Sequence, residues 1–214
     1  GLIGRNGRGK TTLLKLLAGM LDAGGAISAT ARFLYFPFSV PDPEKTAREM
    51  LKSLGGAGDW RIERELSLLS FRLEALDRPF STLSNGERTK ALLAALFLRD
   101  GAFPLIDEPT NHLDLDGRRA VASYLSKKGG FLLVSHDRDF LDRAIDHVLS
   151  LNPNGAEVLR GNFSSWNFER ERREAFERAE NDRLRGEIRR LGEAARRAEA
   201  WSGRAEKGKH RTSD

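Results

Sequence analysis

The sequence predicts an α/β protein with a mostly parallel sheet, a block of helices inserted into it and one long charged helix after it. Three observations lead there. Short, almost wholly apolar runs alternate with amphipathic helical patterns, as strands covered on both faces require. Residues from about 39 to 99 are nearly all helical in pattern and interrupt that alternation. The composition then changes near Gly161: 42 of the first 161 residues are charged, against 25 of the last 53.

In chain order, Leu2–Ile3 reads as the end of a strand. Thr11–Met20 reads as a helix with Leu13, Leu14, Leu16 and Leu17 toward a core. Arg32–Phe36 reads as a strand. Thr46–Leu54 and Trp60–Phe71 read as amphipathic helices, the second with Asp59 as its N-cap. Gly86–Leu98 is a further helix. Strands at Phe103–Asp107, Phe131–Ser135 and Val148–Leu151 are separated by helices at Leu115–Ser126 and Asp137–Ala144. Pro104 lies inside a strand, where it cannot donate to a ladder, so it is expected where no N–H is needed. Asn85 is expected to tolerate a left-handed backbone at the start of its helix. From Ser164 the chain reads as one charged helix. Leu184, Ile188, Leu191, Ala195 and Ala198 form a narrow seam, and Glu169–Arg173, Glu174–Arg178 and Glu193–Arg197 are i,i+4 pairs. Forty such residues span about 60 Å.

Composition narrows the function. The chain has 214 residues, 39% hydrophobic and 31% charged, which suits a soluble folded protein rather than a disordered one. No run approaches the ~20 apolar residues of a membrane helix. The absence of cysteine excludes disulfides, thiolate metal sites and a cysteine nucleophile. Cytoplasmic residence is the expectation. The net charge of +5 is a mild pointer to an acidic partner.

The chemistry lies in four short motifs. Gly4-Arg5-Asn6-Gly7-Arg8-Gly9-Lys10-Thr11 fits the phosphate-binding loop G-x-x-x-x-G-K-[ST], between a strand and a helix. Its glycines allow backbone N–H groups to wrap phosphate, and the helix N-terminus, through Thr12, adds positive potential. Lys10 would reach the β- and γ-phosphates, and the Thr11 hydroxyl would ligate Mg²⁺. Pro104-Leu105-Ile106-Asp107-Glu108 is an apolar strand ending in two acids: Asp107 can hold Mg²⁺ through water, and Glu108 can polarise an attacking water. His136, after the strand ending at Val134-Ser135, can donate to a γ-phosphate. Ser84, three residues before Glu87, makes Leu83-Ser84-Asn85-Gly86-Glu87 a capping box and a second phosphate-facing helix end.

In this order the motifs resemble the nucleotide-binding domain of ATP-binding-cassette (ABC) proteins, a P-loop NTPase fold with an inserted helical subdomain. Walker A is Gly4–Thr11, the signature Leu83–Glu87, Walker B Leu105–Glu108, the D-loop lies around Leu113–Asp114 and the switch histidine is His136. The stretch Asp107-Glu108-Pro109-Thr110-Asn111-His112-Leu113-Asp114 looks more narrowly like the ABC-F subfamily. Gly161-Asn162-Phe163-Ser164-Ser165-Trp166 looks like the entry to its interdomain linker. Tyr35-Phe36-Pro37-Phe38 and the stretch from Trp60 to Leu69 look like its antibiotic-resistance, ribosome-protection branch.

The resemblance implies a domain over 1–161, with a helical subdomain at about 39–99, and the first arm of a linker over 162–214. It implies a fragment: the first sheet strands and the adenine-stacking residue are missing before Walker A, and the second nucleotide-binding domain after the linker. It implies Mg²⁺ and ATP held by residues 4–12 and Asp107, with Glu108 and His136 catalytic. Ser84, Asn85, Gly86 and Glu87 would face the ATP of the partner domain. It further implies an ATPase that needs the second domain for full activity, and contact with ribosomal RNA and P-site tRNA, with no membrane. No Gln stands near Phe38, or anywhere in the chain, where transporters carry a coupling Gln. The alternatives are the ATPase subunit of a membrane ABC transporter and an ATP-gated clamp on nucleic acid.

Overall fold

The computed structural model describes residues 1–4, 7, 9–22, 24–152 and 155–209, with backbone alone at 194, 195 and 197–209. It divides into one compact unit, Gly1–Trp166, and a second from Asn167 onward. The division falls at Trp166 rather than Gly161 because the first turn of the long helix is anchored in the core. Trp166 is buried, Phe163 packs against it, and the Ser164 hydroxyl and N–H both donate to Asp142.

The first unit opens with β1 (Leu2–Ile3) and α1 (Lys10–Leu17), followed by β2 (Arg32–Phe36). A helical block follows: α2 (Ala47–Gly55), α3 (Asp59–Leu68), two short 3-10 turns at Leu73–Asp77 and Phe80–Thr82, and α4 (Asn85–Leu98). Then come β3 (Ala102–Asp107), α5 (Leu115–Leu125), β4 (Leu132–Val134), α6 (Arg138–Ala144), β5 (His147–Asn152) and β6 (Gly155–Arg160). The helix α7 (Phe163–Lys209) crosses into the second unit.

β2, β3 and β4 form a parallel sheet, in register from Arg32↔Ala102 to Phe36↔Ile106 and from Leu105↔Leu132 to Asp107↔Val134. β1 pairs parallel with β5, and β5 pairs antiparallel with β6. β1 also lies beside β4. The carboxyl ends of β1, β3 and β4 therefore open on one edge, where open α/β sheets bind ligands. Pro104 stands opposite Leu34 and one residue before the ladder to β4 begins.

Two apolar clusters hold this unit. Leu2, Leu14, Leu105 and Val134 pack beneath the loop after β1. The larger cluster joins the helical block to the sheet through Leu51, Ile62, Leu66, Leu93 and Ile106, all fully buried. Of the four leucines expected inward on the first helix only Leu14 is buried; Leu13 and Leu17 are partly covered.

Two local expectations are corrected, and one strand is added. Asp59 does not cap α3: Gly58 is the N-cap, and Asp59 is the first helical residue, where its carboxylate pairs with Lys52 and Arg48. Asn85 takes no left-handed conformation, because it is the first residue of a regular helix already capped by Ser84. The strand β6, not foreseen, adds an antiparallel edge.

In the second unit α7 carries Glu174 between Arg170 and Arg178, at 3.4 and 3.3 Å, while Glu169 meets Arg172. Leu184, Ile188 and Leu191 are exposed along its seam. The side chains of Ala195, Ala198 and Arg197 lie outside the described residues. Among the described residues no helix is long and apolar enough to cross a membrane.

Candidate functional site

The loop after β1 turns on glycine. Gly7 and Gly9 both have φ of 77°, a left-handed geometry that side-chain-bearing residues rarely adopt. Gly9 is the N-cap of α1, and its carbonyl accepts from Leu13 N–H at 2.8 Å. Lys10 Nζ reaches back to the Gly4 carbonyl at 2.9 Å, so its ammonium lies across the loop mouth. Arg5, Asn6 and Arg8 lie outside the described residues.

Gly7, Gly9, Lys10, Thr11 and Thr12 share one open cleft of about 380 Å³ with Asp107, Glu108, Val134 and His136. Asp107, at the end of β3, is buried. Its Oδ2 accepts from the Tyr35 hydroxyl at 2.9 Å, whereas Oδ1 is buried without a hydrogen-bond partner. Burial, then the bond to Asp107, pushes the Tyr35 phenol up to about 12, so it stays a donor.

Glu108 follows with φ of 48°. Its N–H donates to the Val134 carbonyl at 2.9 Å, extending the pairing one residue past β3 and turning the side chain into the cleft. A left-handed non-glycine residue costs about 1–2 kcal/mol, and such outliers gather at functional sites. The Glu108 Oε2 accepts from His136 N–H at 3.3 Å, and His136 Nε2 stands 3.4 Å from Oε1. That second contact is an ion-pair distance without hydrogen-bond geometry, since Oε1 has no hydrogen-bond partner. Burial lifts the Glu108 carboxyl above its ordinary value and Asp107 adds to this, against the pull of His136 and Lys10. The arrangement suits a carboxylate that takes a proton beside a bound phosphate.

No group of three or more acids or histidines able to hold a metal occurs among the described residues. A hard cation here would rely on Thr11, Asp107 and the oxygens of its own ligand. The open Oδ1 of Asp107 fits that, because magnesium keeps waters and phosphate oxygens as ligands.

The family description "ABC transporter" matches residues 1–111. The chain belongs to the ABC transporter family. It is 35% identical to the ribosome protection protein VmlR of Bacillus subtilis (strain 168), over 79% of this chain and 32% of VmlR. It is 30% identical to ABC transporter F family member 2 of Arabidopsis thaliana, over 76% of this chain and 25% of that protein. Among solved structures, the archaeal ribosome recycling factor aABCE1, in complex with a ribosomal stalk protein, aligns with a TM-score of 0.61 and 30% identity. That alignment covers 75% of this chain and 34% of the other. The relatives matched by sequence are ABC-F proteins. The chain spans a quarter to a third of the length of these curated relatives.

In this ABC domain residues 84–87 line a different cleft from Gly7, Gly9, Lys10, Thr11 and Thr12. Ser84, Asn85, Gly86 and Glu87 line an opening of about 780 Å³ together with His112, Leu113 and Asp114. Arg72, Arg78 and Lys90 make its walls basic. The capping box is complete: the Ser84 hydroxyl accepts from Glu87 N–H and, with Ser84 N–H, donates to the Glu87 carboxylate. A Cβ on Gly86 would stand 3.3 Å from the His112 carbonyl, so a small residue lets the two loops approach. Asp114 caps α5 through Gly117 N–H at 2.7 Å.

Residues not foreseen tie the ABC motifs together. The Ser135 hydroxyl stands 3.4 Å from that of Thr110 and accepts from Asp137 N–H. Arg118 donates to Asp137 Oδ2 at 3.0 Å and to the Leu113 carbonyl at 3.2 Å, joining the turn at Leu113 to the loop after His136. Only the strand register and the packing of α5 reveal these contacts. Tyr35 is 72 residues from Asp107 in the chain.

Proposed function

We propose that this domain binds Mg²⁺ and ATP in the Walker A cleft and, in the intact protein, hydrolyses ATP to drive an ABC-F factor acting on the ribosome. The observation that carries the reading is the single cleft shared by Lys10, Thr11, Asp107, Glu108 and His136. Lys10 exchanges the Gly4 carbonyl for phosphate oxygens. Thr11 and Asp107 would hold the cation, which would supply positive charge beside the phosphates. Glu108 takes the proton of the water that attacks the γ-phosphorus, and His136 donates to a γ-oxygen as ADP leaves.

The separate signature cleft supports a further part of the reading: Ser84 and Gly86 face the ATP held by a second nucleotide-binding domain. Its basic walls suit a polyphosphate. VmlR is a ribosome protection protein and aABCE1 a ribosome recycling factor, which favours the ribosome as partner; protection against antibiotics that bind the large subunit is the specific role proposed. α7 then forms the first arm of a linker running over 162–214 toward ribosomal RNA and P-site tRNA. Its net basic charge suits phosphate-rich RNA.

Lys10→Ala removes a charge-assisted hydrogen bond to phosphate, worth about 1.5–3 kcal/mol. ATP affinity is therefore expected to fall by about 10- to 100-fold in a nucleotide titration. Unchanged affinity sinks the nucleotide reading. The intact protein, blocked in hydrolysis at both sites, is expected to co-sediment with ribosomes only when ATP is present. Bound ATP without co-sedimentation removes the ribosomal role.

A further inference from the structure

Tyr35 reaches the Walker B carboxylate from the neighbouring strand. Its position on β2 is opposite Leu105, two residues before Asp107. Its ring packs against the cluster of Leu2, Leu14 and Leu105 beneath the phosphate loop, while its hydroxyl donates to Asp107 Oδ2 at 2.9 Å. The terminal torsion of an aspartate is broad and nearly two-fold, so packing alone does not choose which oxygen faces where. One donor fixed on one oxygen does choose. The other oxygen, Oδ1, is buried without a hydrogen-bond partner, and a buried acceptor left open calls for a ligand.

We infer that Tyr35 is a positioning residue for the metal side of the site: its hydroxyl locks the Asp107 carboxylate so that Oδ1 is presented to the cation's water. The inference rests on the reading of this cleft as a Mg²⁺-nucleotide site. It assigns Tyr35 no contact with nucleotide, so removing the hydroxyl acts on metal dependence and leaves the nucleotide's own contacts in place.

Tyr35→Phe keeps the ring and deletes the donor. In the intact protein, a fluorescent ATP analogue is titrated in EDTA, and Mn²⁺ is titrated against nucleotide-loaded protein by electron paramagnetic resonance. Affinity in EDTA is expected to stay within about twofold of wild type, while Mn²⁺ affinity falls on the order of 10-fold, as when a partner orienting a metal ligand is lost. Unchanged Mn²⁺ affinity overturns the inference. So does an equal loss of nucleotide affinity in EDTA, which marks a packing role. A wild-type protein that binds no nucleotide under either condition overturns the site reading and this inference with it, before any variant is compared.

Discussion

Glu108→Gln is expected to cut ATP turnover in the intact protein by about 10²- to 10⁴-fold while leaving ATP affinity nearly unchanged. The amide is isosteric with the carboxylate, and its oxygen can still accept the His136 N–H. The turn made by Glu108 N–H onto Val134 needs only the backbone. What is lost is the ability to take a proton. Burial makes the native carboxylate a stronger base than an exposed glutamate. Steady-state phosphate release and a nucleotide titration on the same samples measure the two halves. A loss below about tenfold would be too small for a general base and would take that role from Glu108.

The largest expected stability effect lies outside the site. Glu65 on α3 accepts from the Tyr124 hydroxyl and from Lys128 Nζ, and Lys128 also lies over the Phe97 and Tyr124 rings. The Glu65 and Lys128 side chains are only 13% and 19% exposed, so this is not a solvated surface pair. Burial, then Glu65, raises the Tyr124 phenol above its ordinary range, so it remains a donor. The cluster pins the helical block to α5. Glu65→Ala strands an ammonium and a phenol and is expected to cost about 3 kcal/mol in chemical denaturation. Glu65→Gln, which can still accept from Tyr124, should cost less. Joint replacement by Leu at 65 and Met at 128 should recover the part of the loss due to the unpaired ammonium, while the Tyr124 hydroxyl still lacks its acceptor. A cost for Glu65→Ala under about 0.5 kcal/mol would mean the pair behaves as a surface ion pair.

The sheet and the motif edge were legible because they rest on local rules. The runs that became β2, β3 and β4 are mostly apolar, with polar residues only at Arg32, Tyr35 and Asp107, and Gly-Lys-Thr before a helix has few other uses. Ser84 and Glu87 were readable as a box from their spacing alone, and the structure closes it. The edge strand β6 was harder: Ala156, Glu157, Val158, Leu159 and Arg160 are exposed or half-covered, so little periodicity survives. Asp59 misled because a good capping residue can also stand one place later, where its charge serves Lys52 and Arg48 instead. Tyr35, Ser135 and Arg118 were invisible for a different reason. Each acts through a partner that only the strand register or helix packing brings near.

The left-handed backbone at residue 108 bears on how this protein can be improved. The fold by itself would prefer glycine there, so the residue proposed to take the proton is held against a local conformational bias. A library screened for heat resistance alone will therefore tend to discard Glu108 early, gaining robustness and losing turnover in the same step. Screens of this domain need an activity gate from the first round.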